Sequence, residues 1–320
     1  MGTTSLKKVQ IGKQTAWVTG VPATAIVSQV TDASATLIPA IDQTDTLGNL
    51  GPSPTANEIS RAASFSLSTQ LTSQQAPYWF DALWTIDAVP VGTASPYAYS
   101  YAGPTTAVPA APRLITFEYG TGTDIYDVVG GLMESMTIGI DQYMPWTMQA
   151  NFLAHSIATG TFASLSETTP TLFQGATLKV DALGGTPGTT TVAASLKSAS
   201  IAFSTGRHIK YFADLVTPQN WGEGAHTFAM TGTMEYTAPV KAYFDAQLSG
   251  PISKVVTITP VNVTASHSIV LTLAGNMVIT DLWGDADGNT VVDFTLNGQY
   301  DQVNSVWASA VVINTATTMP

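Results

Sequence analysis

Apolar and polar residues alternate along most of the chain, which is the period of half-buried β-strands. Phe65, Leu67 and Leu71 share one face of the first such stretch. The same alternation runs through 132–140, 148–154, 177–180, 195–203, 228–234, 255–258, 268–273 and 291–296. Thr, Val, Ile and aromatic residues fill these stretches, and their stiff or bulky side chains suit a pleated surface. Turn signals separate them: Gly130 with Gly131, then Gly184, Gly185, Pro187 and Gly188, then Asp285, Asp287, Gly288 and Asn289. The span from Lys179 to Phe203, divided by the second of these turns, reads as a hairpin with arms long enough to project from a domain. Two short segments alone read as helices, 73–83 behind a Ser cap and 237–248 behind Thr237, Ala238 and Pro239. The expected class is therefore mainly β and antiparallel, with two short helices.

Each helix follows an alternating strand, and both end in the same tripeptide. Phe65 begins the first strand and Phe80, Asp81 and Ala82 close its helix; Phe228 begins the second and Phe244, Asp245 and Ala246 close its helix. Downstream, Arg113 to Phe117 lines up with Lys254 to Ile258. Met148, Ala150, Phe152 and Ala154 then line up with Val292, Phe294, Leu296 and Gly298. Ordered recurrence of four elements predicts an internal duplication, with copies over 1–156 and 157–320. The first copy carries two long segments rich in Ala, Thr, Pro or Tyr, 21–54 and 89–112, which read as loops ordered by a partner.

Composition changes the picture in one respect. Only 10% of the 320 residues are charged, against about 25% in an ordinary soluble domain. Small polar residues replace the charge, including 47 Thr. So sparse a charged surface predicts extensive burial against partners. The remaining charge sums to −11, which argues against affinity for nucleic acid or anionic membrane. The absence of Cys excludes a disulfide framework, a thiolate nucleophile and a cysteine zinc site. No apolar run is long enough for a membrane helix. The opening residues, with Lys7 and Lys8, have the charge but not the apolar centre of a signal peptide.

Candidate chemistry adds little. His155, His208, His226 and His267 are scattered, with no metal-ligand spacing, and no nucleophile elbow or phosphate loop occurs. Asp285 to Asn289 begins like a calcium loop, but its twelfth position is Leu296, and a hairpin turn joining 277–282 to 290–296 fits better. Asp124 with Asp127, or Glu134 with Asp141, could serve a glycosidase, although spacing alone does not separate such pairs from solvated acids. Tyr97, Tyr99 and Tyr101 alternate, and read as core or subunit contact before a sugar platform. Asn262 with Thr264 is a formal glycosylation sequon. Trp79, Phe80 and Trp84 read as anchors packing the first helix on a sheet, as do Tyr243 and Phe244 for the second. No catalytic, metal or cofactor-binding residue is expected.

The succession of strand, short helix ending in aromatic-Asp-Ala, strand and hairpin resembles the tail tube proteins of long-tailed, siphovirus-like bacteriophages. The passages that carry the resemblance are Ile11 to Pro22, with Lys13, Thr15, Trp17 and Thr19; Glu134, Met136 and Ile138; and Asn289 to Gly298, with Asp293 and Leu296. The resemblance covers most of the chain, although 89–112 does not fit it. It implies a β-sandwich or half-barrel in two tandem copies, whose sheet lines a channel, and subunits that close into stacked rings. Rings of this family present six copies of the fold, so a duplicated chain implies a trimer with pseudo-sixfold symmetry, and an unduplicated one a hexamer. It further implies a virion protein assembled in the host cytoplasm, with tape measure and tail terminator proteins as partners, and DNA passing through the lumen without specific binding. Lys179, Gly184, Gly185, Pro187, Gly188 and Phe203 would then mark an inter-ring hairpin, with 21–54 and 89–112 as further contacts. Two other classes share the composition: a capsid-decoration, fibre or adhesin protein without a channel, and a β-sandwich carbohydrate-active protein.

Overall fold

The computed structural model describes residues 7–42, 56–84, 95–105, 113–167, 169–192, 195–212, 215–286 and 288–316. The chain runs through β1 (Lys8–Gln14), β2 (Ala25–Ile26), β3 (Val30–Asp42), β4 (Asn57–Gln70), α1 (Ala76–Trp84), β5 (Tyr97–Ala102), β6 (Leu114–Gly120), β7 (Ile125–Asp141), β8 (Thr147–Ala154) and β9 (Ser156–Thr159). It continues through β10 (Thr177–Ala182), β11 (Thr191–Val192), β12 (Leu196–Ser204), β13 (His208–Lys210), β14 (Asn220–Gly222), β15 (Thr227–Glu235), α2 (Ala238–Gln247), β16 (Ile252–Thr259), β17 (Ser268–Ala286), β18 (Asn289–Gly298) and β19 (Ala308–Asn314). Every strand pairing is antiparallel, and the fold is mainly β with two short helices.

The two halves pair their strands in the same order. In the first, β1 joins β6, β6 joins β7, β7 joins β8, β8 joins β4 and β4 joins β3. In the second, β10, β16, β17, β18, β15 and β12 follow one another in the same way. Two minor pairings agree as well: β2 pairs β1 as β11 pairs β10, and β9 pairs the start of β7 as β19 pairs the start of β17; β5, which pairs β19 across the halves, and the separate β13–β14 pair have no such match. Even an irregularity recurs, since β3 bulges between Val30 and Asp32 and β12 between Leu196 and Ser198. Bulges re-aim a strand and increase its twist, so equal placement gives both hairpins a similar bend.

The ladder adjusts one sequence match. Phe65 stands opposite Phe152, and Met230 opposite Leu296. The partner of Phe65 in the second half is therefore Met230, two residues beyond Phe228. A slip of two keeps every side chain on its face, so alternation alone could not detect it.

The long strands β7 and β17 bend from one layer into another. The first part of β7 pairs with β6 and β9, and its last part with β8 and β12. The β7–β12 ladder joins the halves edge to edge, giving one eight-strand run in the order β3, β4, β8, β7, β12, β15, β18, β17. Its inner face packs on the smaller layers. Phe65 of β4 stacks on Phe117 of β6 at 4.3 Å between centroids, and Phe152 of β8 meets Phe117 edge-on at 4.8 Å.

Three sequence expectations are corrected. Segment 21–54 contains β2 and the thirteen-residue β3, hidden in sequence because Ala and Ser supply little contrast. Segment 89–112 contains β5, which pairs with β19 and buries Tyr99 and Tyr101; residues 85–94 and 106–112 lie outside the described residues. The span from Lys179 to Phe203 is not one hairpin. Among the described residues its arms pair at Leu178 with Val192 and Lys179 with Thr191, with Val180 N donating to Thr190 O, and β12 then pairs β15 and β7, which buries Phe203.

Candidate functional site

The outward face of the eight-strand run is built from small uncharged polar side chains. Ser66 and Ser68 of β4, Gln149 and Asn151 of β8, Ser135 and Thr137 of β7, Ser200 and Ser204 of β12, Thr231 and Thr233 of β15, and Thr295 and Asn297 of β18 stand in register across it. They bond to one another: the Ser34 and Ser66 hydroxyls are 2.8 Å apart, Asn151 Nδ2 donates to Ser135 Oγ at 3.1 Å, and Thr233 Oγ1 donates to Asp293 Oδ1 at 2.6 Å. Asp281 and Asp293 add carboxylates to this face, and Lys197 lies at the bulge of β12 between Leu196 and Ser198.

The junction of the halves is closed from beneath by α1. Eight of its nine residues are buried, with Trp79 and Phe80 at 0% and Trp84 at 1% exposure. Trp84 packs edge-on against Phe203 of β12 and also meets Trp307, while Phe80 faces Tyr101. The helix start differs from the Ser73 cap expected from sequence. The Thr72 hydroxyl receives the Gln75 N–H, and Ser73 Oγ bonds Gln74 and His267. Arg207, just past β12, completes the closure: its buried guanidinium donates to Ala82 O at 2.6 Å, near the end of α1, and its Nε to Glu223 at 3.0 Å. Burial pushes the Glu223 carboxyl up, but hydrogen bonds from His226 and Arg207 outweigh this and hold it below its ordinary range.

The second helix has no such cover. Val240 alone is buried in α2, although Tyr243 and Phe244 reach the core from a half-buried position. Leu248, which stands beyond Phe244 as Trp84 does beyond Phe80, is 73% exposed. The two sheet edges flanking the eight-strand run are also unpaired among the described residues: the outer edge of β3, and β17 beyond Met277, where β16 ends. Leu37, Ile38 and Ile41 lie exposed along the β3 edge.

The glycine turn is tethered rather than free. Asp181 Oδ2 accepts from Gly188 N at 2.8 Å, and Asp301 Oδ2 from Gly184 N at 3.0 Å. Gly184 and Gly188 both have positive φ, at 79° and 78°, a conformation in which a side chain would be strained. Lys179 donates to Gly188 O at 2.9 Å. The remaining sequence candidates stay dispersed. Asp124 lies in the β6–β7 turn, and Asp127, Glu134 and Asp141 lie along β7. The Asp127 carboxyl is pushed up by burial and by Glu118. Ala286 pairs with Asn289, and Gly288 N donates to Asp285, as the hairpin reading requires. Among the described residues no three His or carboxylate side chains gather as a metal site. Among the described residues no helix is long and apolar enough to cross a membrane.

Sequence reasoning missed Arg207, Leu37 and Leu248. A lone Arg after an alternating strand carries no signal of burial, and exposed leucines declare themselves only once neighbouring strands are placed. Comparison with protein-family models and with curated proteins found no match to this chain.

Proposed function

We propose that this chain is a structural, non-enzymatic protein that closes into rings and stacks as the tube of a bacteriophage tail, a conduit for DNA. The reading treats the halves as tandem copies of one sandwich. The observation that carries it is the eight-strand run, made of two similarly ordered halves joined edge to edge and open at both ends. A strand edge left unpaired templates association, and a contact that is not self-complementary closes a ring when its rotation allows. Three chains would supply six copies of the half and close a continuous barrel.

The outward face supports the same reading. Placed on the lumen, its Ser, Thr, Asn and Gln side chains and its carboxylates offer passing phosphates no positive charge and so little release of counterions. The scarcity of charge elsewhere fits surfaces covered within and between rings. Partners of the tape measure and terminator kind, and a virion location, belong to this proposal. Electron microscopy of the concentrated protein tests it. Hollow stacked rings with threefold or pseudo-sixfold symmetry are expected. Compact particles without a channel would replace it with a decoration or adhesin role.

A further inference from the structure

We infer that the contact between subunits reproduces, residue for residue, the contact between the two halves of one chain, with β17 of one copy pairing β3 of the next and α2 seated beneath that seam. The inference rests on the ring reading and adds its register. Within the chain, Ala202 of β12 stands opposite Thr137 of β7. The ladders give each a counterpart. Ala202 faces Ala229 of β15 as Thr36 faces Ser64 of β4, and Thr137 faces Gln149 of β8 as Asp281 faces Asp293 of β18. Thr36 of one chain therefore stands opposite Asp281 of its neighbour.

The side chains beneath agree. Phe203, 2% exposed, is held by Trp84; its counterpart Leu37 is 44% exposed, and the counterpart of Trp84 is Leu248, 73% exposed. What is covered in the internal seam is bare in both halves of the external one. Two open edges of matching direction, one bare helix and one bare leucine make a single interface when a second copy is added.

The chain has no Cys, so introduced cysteines report directly. In the full-length protein, Thr36→Cys with Asp281→Cys should give oxidation-dependent covalent trimers, and Thr36→Cys with Val278→Cys far fewer. Leu37→Asp and Leu248→Asp should each abolish oligomers in mass photometry with little change in the unfolding midpoint, because both side chains are exposed in the monomer. Rings or tubes that link through another pair, or that survive both leucine variants, would overturn the register while leaving the conduit reading intact. A chain that stays monomeric at every concentration would overturn both.

Discussion

Trp84 at the end of α1 packs edge-on against Phe203 of β12, with centroids 5.5 Å apart and planes at 88°. The contact crosses from the first half of the chain to the second, and both side chains are buried. It holds the helix under the strand that joins the halves, so the geometry of the eight-strand run depends on it. Trp84→Ala should lower stability by about 3–5 kcal/mol, as expected for emptying an aromatic site in a packed core. Leu248→Ala, at the matching position of α2, should change the monomer by no more than about 0.5 kcal/mol. Denaturant unfolding of both variants at low protein concentration checks the contrast. Equal losses would mean that α2 is already covered within the monomer.

Arg207 makes the same seam polar at one point. Its side chain is wholly buried and donates to Ala82 O, Met133 O and Glu223. Arg207→Met removes the charge while keeping much of the volume, and leaves Glu223 with His226 as its remaining side-chain partner among the described contacts. Breaking one side of a buried pair costs about 3–5 kcal/mol. Thermal unfolding should register that loss. The double variant with Glu223→Gln should recover part of it, because the stranded carboxylate is then gone.

Much of this fold was legible in alternation, and the reasons for the exceptions are physical. Strands with large apolar residues on one face, such as Phe65 and Leu67 of β4 or Phe294 and Leu296 of β18, were visible because their buried face differs sharply from the other. β3 was invisible because its inward residues include Ala33 and Ala35, and its exposed ones include Ile38 and Ile41. That inversion suits a strand whose outer edge is unpaired among the described residues. The candidate surface was harder to read than the fold. A face is defined by register between strands far apart in sequence, so Ser66, Asn151, Ser135 and Ser204 could not be placed together from spacing.

The tethered turn should respond to acid. Burial pushes the Asp181 carboxyl up, but hydrogen bonds from Thr189 and Thr190 win and bring it from 3.8 down to about 2. Asp301 is lowered in the same way, by Asn304, Gly184 and Val303 working against burial. A depressed carboxyl stabilises the folded state above its unfolded value, and the contribution fades as pH falls through the folded one. Between about pH 4 and pH 2 the Asp181 contribution, on the order of 2 kcal/mol, should disappear. Asp181→Asn should lower the unfolding midpoint at pH 7 and flatten its dependence on pH in that window. An unchanged acid slope in the variant would remove Asp181 as its source.

The outward face makes the last prediction. Ser66, Ser200 and Thr231 belong to three different strands and point away from the core. Replacing all three by Lys should leave monomer stability nearly unchanged, since no core contact is lost. In an assembled tube the same change would put a band of cations where the proposal places passing DNA. Each phosphate engaged adds about one to the slope of log affinity against log salt. Fluorescence anisotropy with short duplex DNA should detect no binding to wild-type tubes at moderate salt. The triple variant should bind, with a steep loss of affinity as salt rises. Equal DNA affinity of the two tubes would mean that this face is covered within the assembly, and would remove the lumen assignment.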